Sequence, residues 1–120
     1  MDKFQTLHAF WSGFGLPAYD ENTVPDNAVL PYITYEVQSS NFGNSVALTA
    51  SLWYRDTGWA KITAKQEQIA DFIGRGGRQI AYDNGSMWIQ MGTPFAQRMG
   101  EQDDDTIRRI VMNITAEFMD

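Results

Sequence analysis

The chain contains no cysteine, a single histidine and only four prolines in 120 residues. Without cysteine there is no disulfide scaffold, no thiolate zinc site and no cysteine nucleophile, and the composition fits a reducing compartment. His8 has no second His or Cys with which to share a metal ion, and a lone imidazole without an orienting partner makes a poor general base. It reads as a half-buried amphipathic side chain beside an apolar helix face. Basic charge is also short: 9 Lys and Arg stand against 15 Asp and Glu, a formal net charge of −6. Tight binding to DNA requires Lys and Arg to neutralise several phosphates, so this balance disfavours it. An acidic wall still lets DNA slide past without sticking. No apolar run approaches membrane-spanning length, so no membrane partner is expected. The first ten residues lack the basic-then-apolar pattern of a leader.

What is present suits one compact domain spanning residues 1–120: the composition is 43% hydrophobic and 13% aromatic. Phe4, Leu7, Trp11 and Phe14 recur at three- and four-residue steps and predict an N-terminal amphipathic helix, ended by Gly13, Gly15 and Pro17. Gly15 to Pro31 reads as a long loop, a common place for partner contacts. Tyr32 to Val37 and Ser45 to Arg55 read as paired strands; in the second, Val46, Leu48, Ala50, Leu52 and Tyr54 share one face. A second helix is expected after a cap at Asp56 or Thr57, with Trp59, Ile62, Ile69, Phe72 and Ile73 turned inward. Gln79–Asp83 and Ser86–Met91 flank Asn84-Gly85, a preferred two-residue hairpin turn. Thr93 to Gln102 reads as irregular. Ile110, Met112, Ile114, Ala116 and Phe118 alternate strictly with Val111, Asn113, Thr115 and Glu117, which predicts a closing strand. The expected order is α-β-β-α-β-β-β. Large residues on both faces of Ser45–Arg55 suggest that the sheet face away from the helices is also covered, by another copy of the chain among other candidates.

Catalytic and metal-binding patterns are missing. Asp103-Asp104-Asp105 lacks the alternating ligands, the glycine turn and the distal Glu of a calcium loop, and reads as a solvated turn. Gly74-Arg75-Gly76-Gly77-Arg78 is rich enough in glycine for a phosphate cradle, but it closes a helix instead of opening one. Asn113-Ile114-Thr115 is a mid-strand sequon in a chain without a leader pattern. No serine has a His–Asp pair in usable order. Glu36 is one possibility for a buried titratable group, as a small-ligand-binding domain would require. No cofactor or metal is implied. Trp53, Trp59, Trp88, Tyr82, Phe42 and Phe95 exceed what one core face needs, which points to binding surfaces.

Leu30-Pro31-Tyr32-Ile33-Thr34-Tyr35 resembles the strand entry of small tail-completion proteins of long-tailed bacteriophages. Val46 to Arg55, a helix carrying Trp59 and Ile62 through Ile69, and the closing Arg108 to Phe118 follow in the same order as in that family. The resemblance therefore runs from Pro31 to Phe118. It implies an α+β single domain, with a mixed, mostly antiparallel sheet of about five strands packed on two helices. It also implies a tail terminator: a non-enzymatic, hexameric ring on the head-proximal end of the tail tube that stops tube growth and offers a joining surface to the head. The implied partners are further copies of the chain, the tail tube protein and the head–tail connector, with DNA passing through the lumen. The implied location is the virion, after assembly in the host cytoplasm. A head-completion, neck or minor capsid protein is the neighbouring alternative, since such proteins share small α+β folds. By local chemistry, Phe42 is a candidate interface anchor, Arg75, Arg78 and Arg98 are candidates for pairing with a neighbour, and Asp103, Asp104 and Asp105 are candidates to line the channel.

Overall fold

The computed structural model describes residues 1–38, 44–100 and 104–119. Two helices and a six-stranded, curled, mixed sheet form an α+β domain. Helix α1 (Lys3–Ser12) leads into strand β1 (Ala18–Asp20), then β2 (Tyr32–Tyr35) and β3 (Ser45–Arg55). Helix α2 (Ala60–Ile73) follows, and β4 (Arg78–Tyr82), β5 (Gly85–Met99) and β6 (Ile107–Met119) complete the chain. The strand order is β1-β2-β3-β6-β5-β4. All neighbouring pairs are antiparallel except β1 with β2.

The centre of the sheet is the β3–β6 pair, in register from Ser45↔Glu117 to Arg55↔Ile107. Leu48, Ala50 and Leu52 on β3 lie opposite Ile114, Met112 and Ile110 on β6, and all six are buried. Period-two alternation in both strands brings these apolar side chains to one face. Met87 and Ile89 of β5 extend that face, and both helices pack on it. Leu7, Phe10 and Trp11 come from α1; Ile62, Ile69 and Ile73 come from α2. The opposite face carries the alternate residues, among them Thr49, Ser51 and Trp53 of β3 and Arg109, Val111, Asn113 and Thr115 of β6. No helix covers this face among the described residues.

Helix α1 begins with a capping box: the Asp2 carboxylate accepts from Gln5 N while the Gln5 side chain accepts from Asp2 N. Helix α2 has no such cap. Asp56, an expected cap, instead accepts from the backbone N–H groups of Thr57 and Gly58, and Trp59 takes the N-cap position with no side-chain hydrogen bond. The early turn consumes the acceptor before the helix starts.

Four further expectations change. Part of the expected 15–31 loop is a strand, so the strands number six: Ala18–Asp20 pairs in parallel with Ile33–Tyr35. Three residues are too few to show periodicity, and only the neighbouring strand holds them extended. Strand β2 ends at Tyr35, before Val37. Thr93 to Met99 is not irregular but continues β5. Gly92 to Phe95 bulge out opposite Asn113, whose side-chain amide donates to the Pro94 carbonyl (3.0 Å), and pairing resumes at Ala96↔Met112. Phe4 and Phe72 stay 50% and 41% exposed, because α1 buries the Leu7–Phe10–Trp11–Phe14 side and α2 turns its isoleucines inward.

Gly77 sets the entry to β4. Its φ of 85° and a Cβ that would lie 2.6 Å from the Ile89 carbonyl oxygen and from Trp88 Nε1 leave no room for a side chain. We expect Gly77→Ala to lower unfolding free energy by about 2–3 kcal/mol through strain and overlap. Gly76→Ala, where a Cβ meets nothing within 4 Å, should change it by less than about 0.5 kcal/mol. Urea denaturation of both variants checks the contrast.

Candidate interaction surface

Polar chemistry gathers at two places. The first is where β3 ends, β6 begins and α2 starts. Two guanidinium groups lie over the Trp59 ring, Arg98 at 4.9 Å and Arg108 at 5.4 Å from its centroid. Each such contact stabilises by about 0.5–2 kcal/mol, more as it is desolvated. Arg108 also donates to the Thr57 carbonyl (2.8 Å) and to the Asp105 carbonyl, tying the β6 entry to the loop before α2. Arg98 reaches Thr63 Oγ1 at 3.5 Å. Beside this clamp, Arg55 donates to Asp104 Oδ2 (3.1 Å) and to Thr106 Oγ1 (2.8 Å). Asp104 in turn accepts from the Thr106 hydroxyl (2.6 Å) and backbone N–H (2.9 Å). The Thr106 hydrogen bonds, then that from Arg55, hold the Asp104 carboxyl below the ordinary carboxylate range.

The second place is a cleft of about 770 Å³ between α1 and β4. Thr6, Ala9, Phe10 and Gly13 line one wall at helical spacing, Gln79 to Asp83 line the other, and Phe14 and Phe72 close one end. The Met1 amine pairs with the Asp83 carboxylate (3.1 Å), and Asp83 N donates to the Met1 carbonyl (2.7 Å), which fixes the other end. Strand β4 is a sheet edge. Its register with β5 turns the N–H and C=O groups of Arg78, Ile80 and Tyr82 toward β5 and those of Gln79 and Ala81 toward the cleft. Arg78 lies across Phe72 (4.1 Å to the ring centroid) and donates from Nε to the Phe72 carbonyl (2.6 Å). Arg75, exposed in the same turn, makes no ion pair or hydrogen bond among the described residues.

His8 is exposed, not half-buried as expected, and it has an orienting partner. Its Nδ1 shares a hydrogen bond with the Tyr35 hydroxyl (2.8 Å), and its Nε2 shares one with Ser12 Oγ (3.2 Å). Burial, then the negative charge of Asp20, raises the pKa of Tyr35. The group ties α1 to β2. A phenol stands where a catalytic triad places the carboxylate that orients its imidazole. Glu36, the candidate buried carboxylate, is half-buried and accepts from Thr49 N (3.1 Å), bridging β2 and β3.

The candidate interface residues thus divide between the two places. Arg75 and Arg78 flank the turn into β4, whereas Arg98, Asp104 and Asp105 lie at the far end of the strands. Phe42 and Asp103 lie outside the described residues. Arg78, Arg98 and Asp104 have partners within the chain; the side chain of Asp105 is exposed. The β4 edge and its cleft were missed in the sequence. Asn84-Gly85 marked the hairpin, although the two-residue turn is Asp83-Asn84 and Gly85 already pairs with Tyr82 as the first residue of β5; which of its strands ends the sheet depends on where β6 inserts.

The fold is similar to that of a chain in the virion of a native gene transfer agent particle. The TM-score is 0.65 and the identity 17%, over 96% of this chain and 90% of that one. No protein-family model matches the sequence, and no curated protein does either.

Because its pKa is depressed on folding, Asp104 stabilises the fold fully above the unfolded value of 3.8, and that contribution is lost as pH falls through the lower folded value. The stability gap between wild type and Asp104→Asn should be open at pH 7 and shrink progressively below pH ~4. Denaturation midpoints across that range provide the check; a gap that widens toward low pH contradicts the assignment.

Proposed function

We propose that the chain is a structural protein of a phage-like particle, and within that class a tail terminator. One observation carries the reading: nearly the whole of this domain and nearly the whole of a virion chain share one fold. The run of family-like segments from Pro31 to Phe118 supports the same class and adds the terminator role. A terminator acts by shape. A ring of copies seated on the last tube layer buries the surfaces that would recruit another layer, and its far side presents a new surface to the head connector. The work is done by complementary surfaces, with no chemical step. The chain's negative charge suits a ring through which DNA must pass without binding.

A ring also explains what an open six-stranded sheet with a bare edge is for. Closed rings of identical copies are built from heterologous contacts, in which one patch meets a different patch on the neighbour. An exposed sheet edge is a liability in a monomer and a ready half of such a contact in an assembly.

Electron microscopy of lysates from the parent particle with this gene disrupted tests the role. The expected result is tails of uncontrolled, excessive length beside full, unattached heads. Tails of normal length that fail to join would move the protein to the head side of the neck. Normal, infectious particles would overturn both positions and favour a small-ligand domain using the α1–β4 cleft.

A further inference from the structure

The two ends of the strand order carry opposite charge. Between residues 15 and 38, around β1 and β2, stand Asp20, Glu21, Asp26 and Glu36, with no Lys, Arg or His. Between residues 72 and 82, around β4, stand Arg75 and Arg78, with no Asp or Glu. Glu36 is occupied by Thr49 N and Asp20 by Asn22 N. Glu21 and Asp26 are exposed and make no side-chain ion pair or hydrogen bond among the described residues, and neither does Arg75. Arg78 spends its Nε within the chain but keeps its exposed position. Other charges near β4 are already engaged or lie on α2: Asp83 holds the Met1 amine, Lys3 lies over Phe118 and Tyr82, and Asp71 projects from the helix.

Apolar surface is matched in the same way. Val29, in the acidic segment, is 78% exposed. Beside the arginines lie the cleft walls of Phe10, Phe14 and Phe72 and the outward N–H and C=O groups of Gln79 and Ala81. One region of the chain thus offers free carboxylates with an exposed aliphatic residue. The other offers the exposed guanidinium groups of Arg75 and Arg78, apolar surface and the outward-facing backbone of Gln79 and Ala81.

We infer that these regions meet between copies: the β4 edge, with Arg75, Arg78 and the α1–β4 cleft, receives the acidic 20–30 segment of a second copy of this chain. This rests on the ring reading above and names its contact. The two patches differ, so the contact is head-to-tail, and each copy added leaves one patch of each kind open until the ring closes. Complementary charge suppresses the wrong pairings, edge against edge and segment against segment, because each sets like charges together. Such a contact weakens as salt screens its exposed charges.

The absence of native cysteine provides a direct test. Asn27→Cys places a thiol beside Asp26 in the exposed segment. Gly76→Cys places one between the arginines, where a side chain meets nothing within 4 Å. The full chain carrying both substitutions, treated with a short bismaleimide at low salt, should give a ladder of covalent oligomers ending at the ring size. A mixture of the two single variants should give cross-linked dimers, and either single variant alone should give none. Native mass spectrometry of the unmodified chain, alone and with tail tubes, runs beside it. Oligomers there without cross-linking would overturn this contact and leave the ring standing. A chain that stays monomeric under both conditions would overturn the ring and the contact with it. Reversing charge on one patch only (Arg75→Glu with Arg78→Glu, or Glu21→Lys with Asp26→Lys) should abolish assembly, and mixing the two reversed chains should restore it. Unchanged assembly by both reversed chains, with folding intact by circular dichroism, would overturn the inference.

Discussion

The β3–β6 pair is the constraint from which the rest of the molecule follows. Its partners are far apart in the chain, and the pairing runs the full length of β3, from Ser45↔Glu117 to Arg55↔Ile107. Closing so distant a pair costs chain entropy before any contact offsets it. The return comes from burying Leu48, Ala50, Leu52, Ile110, Met112 and Ile114 together. A slip of β6 by one residue would turn Ile110, Met112 and Ile114 to the opposite face and bring Arg109 and Asn113 toward the core, so the register is strongly specified.

Once that pair is set, the positions of the other elements are narrow choices. Helix α2 leaves β3 at Arg55 and must return along the apolar face, and the clamp of Arg98 and Arg108 on Trp59 holds its first turn where no side-chain cap exists. The β4–β5 hairpin adds to the far side of β6, which makes β4 an edge. On the other side β2 and the short β1 end the sheet. Helix α1 then packs its Leu7, Phe10 and Trp11 side into the remaining apolar surface and leaves a cleft beside the β4 edge. The cleft is a consequence of topology: no segment of the described chain adds a seventh strand.

The same arrangement separates charge. Turns at one end of the strands gather Arg55, Arg98, Arg108 and Asp104 into internal contacts, which use these groups for cohesion. The turn into β4 and the segment after β1 keep exposed charges of opposite sign. Surface pairs within a monomer contribute little; between copies, the same charges govern orientation and partner choice.

The alternation in Ser45–Arg55 and Ile110–Phe118 made the two central strands legible, Asn84-Gly85 made the hairpin legible, and the spacing of Ile62, Ile69 and Ile73 did the same for α2. These are local periodicities, and a local pattern needs no knowledge of its partner. The α+β class, implied by the family resemblance, agrees with their order. Strand β1, the extension of β5 past its bulge and the exposure of Phe4 and Phe72 were not legible, because each depends on a neighbour distant in sequence. The Asp20–Tyr35 pair at the sheet margin is one such case, and Asn113 filling the bulge at Pro94 is another. The order of residues alone set the two central strands, the inward isoleucines of α2 and the charge each segment carries. Only the tertiary structure decided that β4 ends the sheet, that two arginines lie over Trp59, and that Arg78 lines a cleft beside β4. Adjacency between strands is fixed by which pairing buries the most apolar surface across the whole domain, and no single window of residues contains that comparison.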